Sequence, residues 1–458
     1  MKGWGIRIGH DNLRPFFQSC GRAGFGWCAS SRDQITVTES DALTMAECEI
    51  AAGRFSAALR LLTAQPDAAA GRHALLGAAH LGCKHAKAAL DHLRRAADEA
   101  PGDVAILTLL GRAHQLAADP AAAARVFERL SALAPGLPAV AEALAGAYRR
   151  DARYDDAISL VAAEPAPSDQ MLYEMAMSQA ALGDAVGSLA SWDALIARAP
   201  DLAAAWYGSH APALDLLGWP EAERRLERAA ACPKANGKYQ AMLAAYDLLA
   251  GRPPRPFSRK HAHITDSAAA LLPDLVPGLR LFGMAQALLR WTVAEARRPG
   301  LVLEFGVRRG TSLAAIAEVA GQEVHGFDSF EGLPEGWNGA SAGVLTTGEE
   351  LPVVADGVHL HPGWFEKTLP AFLAVQPGPV RFANIDCDIY SSTRTVLTAL
   401  AGRIGPGTVL VFDEFVGNRS WREDEYRAFG EFVVAFGIRT RIIAVNLACK
   451  QVAMEVVA

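Results

Sequence analysis

Apolar and small residues in the first half of the chain follow two periods, one of a helix and one much longer. Prolines at Pro66, Pro101, Pro135, Pro167, Pro200 and Pro233 fall 35, 34, 32, 33 and 33 residues apart. A repeat of this length predicts stacked helix pairs, since one pair alone cannot bury its apolar face. Counting back from Pro101 finds Leu76-Gly77, His80, Ala89, Leu93 and Ala96, and the same offsets from Pro135 find Leu110-Gly111, His114, Ala123, Phe127 and Leu130. Small residues at the Gly77 and Ala89 positions let two antiparallel helices approach closely, larger ones fill the space between, and proline stops the second helix. Later copies drift, as in Leu144, Ala145, Tyr148 and Ala157, or Met175, Ala176 and Trp192. The array is expected over 44–251.

Gly251-Arg252-Pro253-Pro254-Arg255-Pro256 cannot continue a helix, and 252–264 reads as a linker. Beyond it the pattern changes. A helical period over Leu281–Arg297 leads into short apolar runs at 301–305, 323–327, 357–361, 380–385 and 408–412, which alternate with helical stretches from about Ser312 and over 365–373, 391–403 and 422–436. Strands alternating with helices predict a parallel sheet. The final runs, Thr440–Leu447 and Gln451–Val457, are joined too closely for anything but an antiparallel pair. The expected fold is α + α/β: a helical array, then a doubly wound sheet over 265–458 that ends in an antiparallel hairpin. Residues 1–43 show neither period and read as a low-information tail.

Composition narrows the functional classes. With 51% hydrophobic and 21% charged residues, 458 residues can support two or three folded cores. A net charge of −6 gives no general attraction to nucleic acid or anionic membrane, so neither is an expected partner. No apolar run approaches the length of a membrane span, Met1–Gly26 lacks the apolar stretch of a signal peptide, and seven scattered cysteines form no C-x-x-C pair. A cytoplasmic location is expected. His73, His80, His85 and His92 are read as packing or solvent-facing residues of the array, not as metal ligands.

The chemistry gathers at the carboxyl ends of the strands, where α/β sheets bind ligands. Glu304-Phe305-Gly306 with Gly310 and Ser312 is a strand running through a glycine turn into a helix, whose N-terminal amides suit an anion. The spacing G-x-x-x-G puts Arg308 where a dinucleotide fingerprint needs glycine, and Glu304 suits an ammonium better than a pyrophosphate. S-adenosylmethionine is therefore favoured over NAD. Asp328, followed by Ser329 and Phe330, ends the next strand and can accept hydrogen bonds from ribose hydroxyls. Asp386 and Asp388 follow one strand, Asp413 and Glu414 end another. Three converging carboxylates, Asp386, Asp413 and Glu414, would repel unless a cation binds, and oxygen donors of that number suit Mg2+, which lowers the pKa of a bound hydroxyl.

The array resembles the tetratricopeptide repeat. The second half resembles class I S-adenosylmethionine-dependent methyltransferases, and within them the macrocin O-methyltransferase-like family, through five segments in order: Glu304 to Ser312, Gly326 to Pro334, Gly363 to Pro370, Ile385 to Thr393, and Phe412 to Phe415 followed by Trp421 to Phe429. The resemblance implies a Rossmann-like sheet and an O-methyltransferase acting on a sugar or other small hydroxyl acceptor, with S-adenosyl-L-methionine and Mg2+ as cofactors. It also implies Asp386, Asp413 and Glu414 as metal ligands, Asp386 or Asp388 as general base, Phe330 and Trp364 around the cofactor, and the loop from Val416 to Tyr426 over the acceptor. Some family members carry Asp where this chain has Glu414. The repeats would recruit a protein partner or support self-association. Two other functions fit the same pattern: a repeat scaffold with an inactive methyltransferase domain, and a methyltransferase acting on a protein delivered by the repeats.

Overall fold

The computed structural model describes residues 39–64, 71–337 and 339–457. Most of the expected tail, together with Pro66, lies outside the described residues. By compactness the chain divides between Asp151 and Ala152.

The first unit is a run of antiparallel helices: α1 (Glu39–Ala51), α2 (Phe55–Thr63), α3 (Arg72–Gly82), α4 (Ala86–Glu99), α5 (Val104–Leu116), α6 (Pro120–Leu133) and α7 (Pro138–Arg150). Its spacing follows the sequence. A Cβ on Gly77 would meet Leu93 of α4 at 2.4 Å, and one on Gly111 would meet Phe127 of α6 at 2.5 Å, so each pair closes where the small residue recurs. Phe127 and Leu93 are fully buried in the gaps so formed, each adding about 2 kcal/mol of apolar burial. Asp103 caps α5 by accepting from the amides of Ala105 and Ile106 at 2.8 and 2.9 Å. The four histidines are not dispersed: Nδ1 of His73 and His92 are 3.0 Å apart and Nδ1 of His80 and His85 3.4 Å, in one aromatic stack over α3 and α4.

The second unit opens with α8 (Tyr154–Ala162), α9 (Asp169–Leu182), α10 (Ala185–Arg198), α11 (Ala203–Leu217), α12 (Trp219–Ala231), α13 (Lys238–Leu249) and α14 (Ala262–Leu271). It continues as β1 (Leu275–Leu281), α15 (Ala285–Glu295), β2 (Leu301–Phe305), α16 (Thr311–Ala320), β3 (Val324–Asp328), β4 (Val358–Pro362), α17 (Phe365–Val375), β5 (Val380–Ile385), α18 (Tyr390–Leu400), β6 (Val409–Phe412), α19 (Glu425–Phe436), β7 (Thr440–Asn446) and β8 (Gln451–Val456). The eight strands form one sheet in the order β1-β7-β8-β6-β5-β2-β3-β4. All pairings are parallel except those of β8, which runs antiparallel to both β6 and β7. Leu303, Phe305, Ile385, Phe412 and Val452 pack toward α17, α18 and α19 on one face, while Val302, Phe382, Val411 and Ala453 pack toward α15 and α16 on the other.

One difference from the expected organisation stands out. An edge strand, β1, precedes α15 and pairs parallel with β7, although its Pro277-Gly278 center breaks the apolar run. Helices α9 and α11 pack against the start of the sheet within the second unit. Asp215 of α11 accepts from the amides of Gly283 and Met284 at 2.8 and 2.9 Å, capping the entry to α15, and Gln286 donates to the carbonyl of Ala181. Backbones approach so closely here that a Cβ on Gly283 would lie 1.8 Å from the Ala211 carbonyl oxygen. Among the described residues, no helix is long and apolar enough to cross a membrane.

Candidate functional site

Strand β2 lies between β3 and β5, where connections leave in opposite directions and a crevice opens at the carboxyl ends. Gly306 lets the loops after β2 and β5 meet closely there: with φ at +94°, its missing Cβ would lie 1.9 Å from the carbonyl oxygen of Asp386. The amide of Asp386 donates to the Phe305 carbonyl at 2.8 Å, which fixes the loop after β5 against the end of β2. Gly310, at φ +81°, stands at the N-cap of α16, and no side chain caps that helix, whose first turn contains Ser312. Uncapped amides at a helix start favour an anion such as a carboxylate.

Glu304 is fully buried at the end of β2. Its Oε1 accepts from Asn384 Nδ2 at 2.8 Å, and Oε2 has no hydrogen-bond partner. Burial pushes its carboxyl up to about 8, opposed by hydrogen bonding from Asn384 and Ser312, with Asp413 and Asp328 adding to the rise. A buried, half-satisfied carboxylate of this kind is costly until a cationic donor reaches it.

Asp328 does something other than wait for a ribose. Its Oδ2 accepts from the amides of Val307 and Arg308 at 2.8 and 2.7 Å, and Oδ1 from the amide of Phe330 at 2.7 Å. It thereby shapes the glycine loop, leaving its remaining lone pairs for a ligand. Ser329 braces the following turn, donating to the Gly332 carbonyl at 3.2 Å. Phe330 is buried in the apolar cluster under α16 with Val307 and Leu313, so its ring faces the core, while its backbone sits at φ +60°. Trp364 is half-buried at the N-cap of α17. Arg308, Phe330, Asp388 and Lys450 all have positive φ, and all lie in loops at this one edge of the sheet. Such strain in non-glycine residues is held where surrounding structure over-determines it.

Asp386, Asp388, Asp413 and Glu414 are brought together as the sequence suggests. Burial first, and then the neighbouring acids, raises Asp386 and Asp388 well above the usual carboxylate range and Asp413 to about 7. A further member went unrecognised among the charges of Trp421 to Phe429. Glu425, the first residue of α19, is fully buried; its Oε1 accepts from the Cys387 amide at 3.3 Å and its Oε2 from the Glu414 amide at 3.0 Å. One carboxylate thus ties together the two acid-bearing loops. The loop from Val416 to Tyr426 is held too, with Trp421 buried and the Gly417 amide donating to Ser267 of α14 at 2.9 Å.

The three expected metal ligands do not fit a cation as an open set of oxygens. Both oxygens of Glu414 are taken by Lys450 Nζ, at 2.8 and 2.6 Å, and Oε2 also accepts from Asn418; Asp413 Oδ1 accepts from Gln451 Nε2 at 2.7 Å. Among the described residues, no group of three or more His, Cys, Asp or Glu side chains is arranged to hold a metal ion. Glu304, Gly306 and the uncapped start of α16, in contrast, fit an amino acid moiety carrying both an ammonium and a carboxylate.

Residues 303–415 match a family model described as "Methyltransferase domain". The chain is 31% identical over 149 residues to the 8-demethyl-8-(2,3-dimethoxy-alpha-L-rhamnosyl)-tetracenomycin-C 4'-O-methyltransferase of Streptomyces olivaceus, covering 27% of this chain and 56% of that protein. It is 27% identical over 157 residues to the demethyldecarbamoylnovobiocin O-methyltransferase of Streptomyces niveus, covering 28% of this chain and 59% of that protein. The chain thus spans little more than half the length of these relatives. Among solved structures, a calicheamicin methyltransferase aligns at a TM-score of 0.31 and 23% identity, over 37% of this chain and 77% of that one. A tetratricopeptide repeat protein from Parabacteroides merdae aligns at a TM-score of 0.41 and 14% identity, over 46% of this chain and 86% of that one.

Proposed function

We propose that the chain is an S-adenosylmethionine-dependent O-methyltransferase acting on a sugar or other small hydroxyl acceptor. The observation that carries this reading is the buried Glu304, with one oxygen unpartnered beside the uncapped start of α16, within the segment that matches a methyltransferase domain. The likeness to the O-methyltransferases of rhamnosyl-tetracenomycin and novobiocin supports a hydroxyl acceptor. The donor's sulfonium, when bound, supplies an electrophilic methyl group.

Glu304 would pair with the ammonium of the donor and the α16 amides with its carboxylate, while Asp328 holds the intervening loop and meets the ribose. Asp388 or Asp386 would take the acceptor hydroxyl's proton. Burial and the neighbouring acids raise the proton affinity of both, so the base acts from its ionised form and holds the proton firmly once taken. Glu425 keeps these groups in place by fixing the loops that carry them, and the segment Val416 to Tyr426 would exclude water above them. The proposal routes no step through a metal. The stacked helix pairs of the first unit would recognise a protein partner, as arrays of this architecture offer an extended surface.

The test is transfer of a labelled methyl group from S-adenosylmethionine to a panel of nucleotide sugars and glycosylated small molecules, read as label appearing in the acceptor. Labelling of protein alone, with no small hydroxyl acceptor modified, would point instead to a methyltransferase acting on a partner.

A further inference from the structure

The antiparallel register of β6 and β8 sets Val409 against Glu455, Leu410 against Met454, Val411 against Ala453 and Phe412 against Val452. Continued past the end of β6, it places Asp413 opposite Gln451 and Glu414 opposite Lys450, and those are the observed hydrogen-bonded pairs. Strand register therefore delivers an ammonium to one of the acids expected to hold a divalent ion.

The contact is a built one. Lys450 and Glu414 side chains are 17% and 14% exposed, and Nζ lies within 2.8 Å of both carboxylate oxygens. Lys450 sits at φ +69° in the tight turn between β7 and β8, a conformation that disfavours a branched or long side chain unless contacts hold it. Its carbonyl accepts from the Val416 amide at 3.3 Å, and its stem lies over Gly417, where an added Cβ would meet Lys450 Cγ at 3.4 Å. Glutamate rather than aspartate at 414 adds the methylene that lets its carboxylate extend toward the β8 side, and Asn418 donates to the same oxygen. For a cation to use Glu414 it must displace a half-buried ammonium and break this pair, leaving Lys450 charged and unpaired beside the acids.

We propose that Lys450 is a built-in counter-cation of this acid cluster, occupying through Glu414 the position that the family resemblance gives to a divalent metal. It acts as a positioning residue: it sets the Asp413-Glu414 loop and offsets the charge around Asp388 without a bound ion. The inference rests on the reading of this edge as a methyl-transfer site, but its test involves no turnover and so stands or falls separately.

The experiment is a titration of the full chain with Mn2+ as probe, followed by electron paramagnetic resonance of the free ion, on the wild type, Lys450→Met and Lys450→Arg. The wild type and Lys450→Arg should show no saturable one-per-chain site. Lys450→Met should acquire one, binding at least about tenfold more tightly than the wild type, because the freed Glu414 carboxylate then faces Asp413 and Asp386 as an oxygen donor. Asp413→Asn in the Lys450→Met background should remove it. A saturable Mn2+ site in the wild type that Asp413→Asn abolishes would overturn the proposal, as would a folded Lys450→Met that binds no better than the wild type. Should Lys450→Met fail to fold, the wild-type titration alone decides.

Discussion

Replacing Glu304 by Gln tests the donor end of the site through its proton. In the free protein burial holds the Glu304 carboxyl up to about 8, so near pH 7 most chains carry a proton there. An ammonium paired with Glu304 needs the ionised form. Binding must therefore expel that proton, and affinity, full above the raised pKa, falls as pH drops through it, approaching about tenfold per unit between roughly pH 5.5 and 7. Calorimetry with S-adenosylhomocysteine, run in phosphate and in Tris to separate buffer ionisation, should report a net proton release at pH 7 that fades as pH rises above the raised pKa. Glu304→Gln keeps the shape and the Asn384 contact but cannot ionise. It should lose that proton release and the steep slope, and should bind about ten- to a hundredfold more weakly at pH 8, the cost of a charge-assisted bond. A flat pH profile in the wild type, or the same slope in Glu304→Gln, would refute the pairing.

Gly306→Ala should destabilise the protein by more than about 2 kcal/mol, seen as a lowered Tm, because its Cβ collides with the Asp386 carbonyl and φ is positive. Asp215→Ala, which strips the amides of Gly283 and Met284 of their acceptor, should cost about 1–2 kcal/mol in a denaturant melt without touching ligand. Asp388→Asn should retain S-adenosylhomocysteine binding while turnover falls by about 10²- to 10⁴-fold with a reactive acceptor, and near-normal turnover would remove Asp388 from the mechanism. Glu425→Gln, left with one acceptor oxygen for two loop amides, should lower kcat by about tenfold with little change in donor affinity; an equal loss of both would make its role merely structural.

Much of the second unit was legible because its strands are short apolar runs bounded by turns. Strands β2, β5 and β6, buried on both faces, lie within a residue of where periodicity placed them, and the acids at their ends converge as their positions at strand termini require. What stayed hidden depended on partners distant in sequence. Strand β1 was obscured by Pro277-Gly278, tolerated only because the strand is at an edge. Glu425 looked like one more surface charge because both its donors are backbone amides of other loops. Lys450 carried no signal until the β6–β8 register was known. Asp215 lies in a helix of the expected array yet completes the start of α15, a contact that no local pattern announces. Phe330, which the resemblance sets around the cofactor, has its ring in the apolar cluster with Val307 and Leu313, packing that its place after Asp328 does not reveal.

The account rests above all on a methyl donor, rather than a dinucleotide, occupying the crevice between β2 and β5. Equilibrium calorimetry of the wild-type chain with S-adenosylhomocysteine and, separately, with NAD tests this most directly. One S-adenosylhomocysteine should bind per chain, weakened by Glu304→Gln, with no saturable NAD binding; tight NAD binding without S-adenosylhomocysteine binding would contradict it.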